Sequence, residues 1–385
     1  MPNNIVPYEQ TILAAQGEFN AAKVGSLSLI DSIYKKVEAK YAPRMGSTIN
    51  AVYPDLPAFT NVGNNAIGLT DMNPGVVAIT FSQHPGIGVE QTDFEEFETA
   101  VDWIDNFLDP AYKRALEYLN ASIAALLTTA NFPTNGVVQS TGAAEVTTTA
   151  LGQAWEALQL NKVPAADPAD MTLCVHPSVY RSSLSDPAWA AETMVGYEIA
   201  QTARRSADLG PAFGSRFVSD VQMPATLVPS GTGVAAGTVA INNGSAAVVG
   251  TATAFTAAMV GTNIKFASDP TQTPYRILSY TSATSITLAS NYTGTNITGS
   301  NFSTSSYLSA YFHKYAIVAS MRPLRPPTQT GNQVAYRPIT LRGIPMRLMY
   351  SYQHNPSTAM GNYMTLDFGF GIGVARDYWG QLIQC

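Results

Sequence analysis

The side chains best able to do chemistry are few: four histidines (His84, His176, His313 and His354) and two cysteines (Cys174 and Cys385). Cys174 and His176 stand two apart in the run Met171-Thr-Leu-Cys-Val-His176. In a strand, residues two apart share a face, so this pair could form a thiol nucleophile beside an imidazole base. The run around Cys174 is apolar, and a small buried hydrophobe is the heavier expectation. No His-x-x-x-His or Cys-x-x-Cys spacing occurs, so no zinc pattern is present. There is no Gly-x-Ser-x-Gly elbow and no Gly-x-x-x-x-Gly-Lys loop. Gly369-Phe-Gly-Ile-Gly373 imitates part of a dinucleotide fingerprint, but it lies inside a strand pattern with no helix after it. The acids of residues 90–117 could be imagined as a glycosidase pair, yet they crowd a helix start, where the helix dipole favours them. No catalytic, cofactor-binding or metal residue is assigned, and the chain reads as a non-enzyme.

The elements around these residues are of several kinds. Ile12, Leu13, Phe19, Val24, Leu27, Ile30, Ile33, Tyr34, Val37 and Tyr41 step by three and four, which predicts helices over 9–41, broken near Gly17 and Gly25. Residues 42–91 alternate Pro, Gly and Asn with β-prone runs such as Val76-Val-Ala-Ile-Thr-Phe81 and read as a two-stranded ribbon. Residues 93–130 carry the strongest helical stripe: Phe94, Phe97, Val101, Ile104, Leu108, Tyr112, Ala115, Leu119, Ile123 and Leu126. Thr92 and Glu95 form a capping box, and Asp109-Pro110 kinks or restarts the helix. Residues 150–222 read as mixed α/β. Helices are expected at 150–160, from Pro177 and over 187–204; strands are expected at 171–175 and 216–221.

Composition then shifts. Residues 228–306 hold only three charges, Lys265, Asp269 and Arg276, among Thr, Ser, Gly, Ala and Val in short alternating runs, which predicts an inserted all-β module. A strand over 313–324 and further strands over 334–383 follow. Among them Leu366, Phe368, Phe370, Ile372 and Val374 alternate with Gly369, Gly371 and Gly373. The fold class expected is α+β.

Charged residues make up 12% of the 385, about half of the usual share of roughly 25%, and the net charge is −6. That balance argues against non-specific wrapping of nucleic acid. Residues 90–117 hold nine acids against Lys113 and Arg114, while 307–385 hold seven bases against Asp367 and Asp377. The two stretches could attract one another between copies of the chain, or each could be a solvated face. The opening MPNNIVPYEQ lacks a secretory signal and no apolar run reaches about 18 residues, so the expectation is folding in a cytoplasm with no membrane partner.

The order of these parts resembles the major capsid protein of tailed bacteriophages, the Hong Kong 97-type shell fold. Met171-Thr-Leu-Cys-Val-His-Pro-Ser-Val-Tyr180 is similar to the apical strand-then-helix of such coats. Phe312-His-Lys-Tyr-Ala-Ile-Val-Ala319 is similar to a hydrophobic strand of theirs. Gly343-Ile-Pro-Met-Arg347 followed by Thr365-Leu-Asp-Phe-Gly-Phe-Gly371 resembles their closing strands. The resemblance implies an N-terminal arm (1–50), an E-loop hairpin (51–92), a spine helix with the start of the peripheral domain (93–134) and a first part of the apical domain (135–227). An inserted β domain (228–306), an apical return (307–322) and the C-terminal strands of the peripheral domain (323–385) complete it. The insert, with Gly250–Gly261, Tyr275–Tyr280 and Ser285–Leu288, resembles a small β module of virion proteins.

Implied partners are further copies in hexamers and pentamers, a scaffolding protein, a portal protein, packaged double-stranded DNA on the inner face and, as a further candidate, a decoration protein. The implied location is the virion, assembled in the host bacterial cytoplasm. No cofactor is implied. Residues 45–92 contain no Lys, so the covalent crosslink that some members form through an E-loop lysine is not expected. Only some 50 residues precede the ribbon, so scaffolding is expected from a separate protein. A rival reading is a phage tail or adhesin-like binding protein, suggested by the β module. An outer-membrane barrel and a Cys174/His176 hydrolase rank below it.

Overall fold

The computed structural model describes residues 28–37, 48–53, 75–92, 109–164, 170–186, 189, 209, 211–271, 273–325, 334–354 and 360–385. A short helix α1 (Ser28–Ser32) leads into β1 (Tyr34–Val37), followed by β2 (Thr48–Tyr53), β3 (Gly75–Thr80), β4 (Gly86–Thr92) and helix α2 (Asp109–Ala124). Next come β5 (Val137–Gln139), α3 (Thr148–Leu160), β6 (Met171–Val175), α4 (Pro177–Ser185), β7 (Pro211–Ala212) and β8 (Ser215–Ser219). From there the named elements are strands and single 3-10 turns: β9 (Ala225–Val228), β10 (Thr238–Ile241), β11 (Ala247–Thr251), β12 (Asn263–Phe266), β13 (Tyr275–Ser282), β14 (Ser285–Leu288) and β15 (Ile297–Ser300). The long β16 (Phe302–His313), β17 (Ile317–Arg322), β18 (Val334–Leu341), β19 (Ile344–His354), β20 (Met360–Val374) and β21 (Gly380–Gln384) complete the chain. Two compact units divide it: Met1–Gly25, Ile33–Leu119 and Ile317–Ala375 form one; Ser26–Ser32, Asn120–Ala316 and Arg376–Cys385 form the other.

In the first unit a six-stranded sheet runs β1-β17-β20-β19-β18, with β4 also on β20. β20 organises it. Residues 360–368 pair with β19, 361–367 with β4 and 369–374 with β17, all antiparallel. Met364, Leu366, Phe368 and Phe370 are buried, as their alternation predicts. The glycine face has a different use, because the chain at residues 79–81 lies against it. A Cβ at Gly371 would stand 2.5 Å from the Thr80 carbonyl oxygen, and one at Gly369 would fall on the ring of buried Phe81. The glycines are therefore a close-approach surface. β18 and β19 turn through Arg342 (φ 46°) and Gly343 (φ 78°), with Leu341 opposite Ile344. Two positive-φ residues in a two-residue loop match the right-handed twist of the hairpin.

β2 and β3 pair from Thr48 with Thr80 to Tyr53 with Gly75 and make a two-stranded sheet of their own. At ~3.3 Å per residue the six pairs extend roughly 20 Å. Residues 54–74 of the expected ribbon lie outside the described residues, as do 93–108 of the expected long helix. In the described part of that helix the stripe holds: Tyr112, Ala115, Leu116, Leu119 and Ile123 are buried. The expected helix over 9–41 needs correction where it is described. Only Ser28–Ser32 is helical, and Tyr34–Val37 is a strand parallel to β17. Pairing with β17 outweighs a helical spacing of side chains that could form little more than one further turn. The single strand expected over 313–324 is also corrected: β16 ends at His313, residues 314–316 turn, and β17 starts at Ile317.

The second unit holds a thirteen-stranded sheet. β6 pairs parallel with β8 and antiparallel with β16; β16 pairs antiparallel with β21, which pairs parallel with β5. Ala150, Leu151, Ala154 and Leu158 of α3 close over Leu173, Val175, Phe217, Tyr311 and Ile383. Thr147 caps α3 by accepting the Ala150 N–H, and His176 caps α4 ahead of Pro177. Residues 228–306 build a second core from Val239, Ile241, Val248, Phe255, Ile264, Phe266, Tyr275, Ile286, Tyr292 and Phe302. Within these residues Ala257–Met259 form a single 3-10 turn.

Substitution at the glycine face separates close approach from mere smallness. Gly371→Ala should destabilise the chain by about 2–3 kcal/mol, because the clashing atom is backbone and cannot swing away. Gly373→Ala, whose Cβ would find Ile79 at an ordinary 3.6 Å, should be nearly neutral. Urea unfolding of the unassembled chain compares the two.

Candidate functional site

β6 is buried at all five positions, and it places Cys174 and His176 differently from an open strand. Cys174 has its Sγ 3.8 Å from the Ser28 hydroxyl oxygen. Burial first, and Asp220 second, push its thiol far above the ordinary range. His176 has left the strand. Its Nδ1 accepts the Ser178 N–H at 3.2 Å, and its ring lies 5.0 Å from that of Tyr307. Burial lowers its basicity. A thiol kept protonated and an imidazole occupied as a helix cap do not make a nucleophile and its base. Cys385 is likewise buried beside the Ser309 hydroxyl, its thiol pushed up to about 12 by burial.

The densest polar cluster was not legible in the sequence. Asp220, fully buried, follows β8 and accepts the Ser28 N–H at 2.9 Å, the Leu29 N–H at 3.3 Å and the Gln222 N–H at 2.9 Å. The Asn120 amide reaches both of its carboxylate oxygens at 2.9 Å. Asn120 in turn accepts the Ile30 N–H at 3.3 Å. Three segments distant in sequence (28–30, 120 and 219–222) are tied here by one carboxylate whose lone pairs are spent on donors. It has no opening for a substrate, so it is a structural tie.

Several other titratable groups are also in use. Asp367 takes Arg347 in a two-pronged ion pair and His84 at 3.1 Å. His313 accepts the Tyr315 N–H at 3.3 Å and meets Trp379 edge-on at 5.0 Å. Lys314 pairs with Asp170 at 2.5 Å, and the Arg376 guanidinium lies 3.8 Å over the Trp379 ring. Much of the basic surplus of 307–385 is thus held within the chain. Most of the acidic stretch, 93–108, lies outside the described residues. Arg114 and Glu117 make a one-turn surface pair, which contributes little. Among the described residues no group of three or more His, Cys, Asp or Glu could hold a metal ion, and no helix is long and apolar enough to cross a membrane.

No protein-family model matches the chain, and no curated protein does. Solved phage structures align with most of it. The asymmetric unit of the bacteriophage PhiM1 mature capsid aligns at 10% identity over 92% of this chain and 86% of that one, with a TM-score of 0.47. The capsid of cyanophage P-SCSP1u aligns at 12% identity over 91% and 85%, TM-score 0.46. A structure from Mycobacterium phage Che8 aligns at 9% identity over 88% and 84%, TM-score 0.46. The chain is similar in backbone trace to these phage structures, with little identity of residues.

Two measurements check this placement of the polar groups. Asp220→Ala should cost about 3 kcal/mol or more, since it strands several buried donors at once, and chemical denaturation reads the loss. With iodoacetamide at pH 8, Cys174 and Cys385 should stay unmodified in the folded chain and react only in denaturant, as mass spectrometry of the peptides would show.

Proposed function

We propose that this chain is a structural, non-enzymatic shell subunit: the major capsid protein of a tailed bacteriophage, built on the Hong Kong 97-type plan. The observation that carries the reading is the order of elements along one chain. A two-stranded ribbon (β2–β3) precedes helix α2. A mixed α/β core with an inserted β module follows, and the chain then returns to a second sheet through β17–β20. The ribbon adds weight, since two strands alone are at best marginally stable in water and gain most by lying on other surfaces. A tail or adhesin-like protein built of β modules would have no need of the α3–β6–α4 core.

In this reading residues 51–92 are the E-loop hairpin, 93–134 the spine helix with the start of the peripheral domain, and 323–385 the C-terminal strands of the peripheral domain. Residues 135–227 and 307–322 are the apical domain, and 228–306 are the β domain inserted into it. The subunit assembles with copies of itself into hexamers and pentamers of an icosahedral shell in the host bacterial cytoplasm and remains in the virion. A separate scaffolding protein directs assembly, a portal protein fills one vertex, double-stranded DNA is packed against the inner face, and a decoration protein is a further candidate partner. Many modest, symmetry-repeated contacts suffice to hold such a shell.

Negative-stain electron microscopy of the purified full chain, alone and co-expressed with its scaffolding protein, tests the reading. Closed shells, tubes or six- and five-membered rings are the expected result. Discrete monomers or trimers under both conditions would overturn it.

A further inference from the structure

A cavity of about 360 Å³ lies within the second unit where the inserted strands meet the mixed core. Its walls include Ser178, Arg181 and Ser182 of α4, Lys265 of β12 and Tyr307 of β16, and no Asp or Glu is among the described lining residues. The two cations come from different elements and face a common space. In this charge-poor chain several described bases have a use: Lys314 on Asp170, Arg347 on Asp367, Arg276 on the Gln139 side chain, Arg376 over Trp379. Among the described residues the side chains of Arg181 and Lys265 make no hydrogen bond, ion pair or ring contact. Lys265 is also the one charge of residues 228–306 left accessible, because Asp269 and Arg276 are 1% and 6% exposed.

Two like charges lining one cavity with no acid between them oppose each other, and an anion placed there would reverse the sign of the interaction. Among the described residues the hydroxyl groups of Ser178 and Tyr307 make no hydrogen bond, and they line the same space. A guanidinium fork, an ammonium and two hydroxyls, carried by α4, β12 and β16, suit an anion that accepts in several directions.

We propose that this cavity binds a tetrahedral oxyanion, a phosphate or phosphoester group, between Arg181 and Lys265. The anion fastens the inserted strands to the mixed core, since one cation belongs to each. This site does not depend on shell assembly.

Isothermal titration of the purified full chain with inorganic phosphate, at constant ionic strength, tests it. One site per chain is expected. Arg181→Gln and Lys265→Gln should each weaken binding tenfold or more, while Lys113→Gln, which removes an exposed cation elsewhere, should leave it unchanged. A parallel titration with a short single-stranded oligonucleotide assigns the source. Tighter binding that needs the same two residues points to a phosphodiester; binding no tighter than phosphate points to a small anion. The proposal is overturned if phosphate shows no saturable binding, if both cavity variants bind like the parent, or if Lys113→Gln loses as much as they do. Circular dichroism of the variants establishes that each is folded before titration.

Discussion

The second unit is organised by one buried carboxylate. Asp220 is removed from water, and a charge so placed is tolerable only when donors replace its hydration. The Ser28, Leu29 and Gln222 amides and the Asn120 side chain supply them. This requirement explains several features at once. Helix α1 has only five residues, too few to hold itself together, and it persists because its first amides point at a fixed negative charge. Asn120 sits on the buried side of α2 because the carboxylate needs its amide. Cys174 lies near both Ser28 and Asp220, and its thiol is held protonated by burial and by that charge. What looked like a nucleophile is a small side chain beside a structural tie.

Charge is used sparingly elsewhere too. Asp367 holds Arg347 and His84 together in the sheet of the first unit, and Asp170 anchors Lys314. Around the inserted strands, the described surface is mostly neutral: Leu227, Val249 and Leu278 stand out from strands rich in Thr, Ser and Gly. A surface of this kind recognises by shape and by repeated weak contact more than by long-range attraction.

Local pattern made a large part of the fold legible. The stripe Tyr112, Ala115, Leu119, Ile123 gave the buried side of α2, the apolar run 171–175 gave β6, and the alternation from Leu366 to Val374 gave β20. These signals are legible because one face meets a core and the period follows from backbone geometry alone. Tyr34–Val37 was not legible, because a strand 280 residues or so away in sequence decides its conformation. Nor was the reason for Gly369 and Gly371: the spacing shows small residues on one face but not what approaches them. The cluster at Asp220 and the cavity at Arg181 and Lys265 were hidden for the same reason. Each unites residues whose sequence separation carries no periodic signature, and no motif spacing links them.

The inserted strands show how far a module can be joined to its host by covalent continuity and packing alone. β16 begins in the module and ends in the core: Phe302 belongs to one cluster, Tyr307 and Tyr311 to the other. Four strands, β12, β9, β21 and β6, pair along its twelve residues. A hinge within it would break ladder bonds on both sides, so the module cannot swing as a tethered domain would. Its remaining contacts reinforce the join. The Asn263 side chain accepts the Ala144 N–H at 3.2 Å, and Arg276 donates to Gln139 at 2.7 Å. Burial lowers the pKa of Arg276, which is the cost of placing a cation in a seam. A chain with so few charges that commits one to an internal seam gains a fixed orientation of the inserted strands from it.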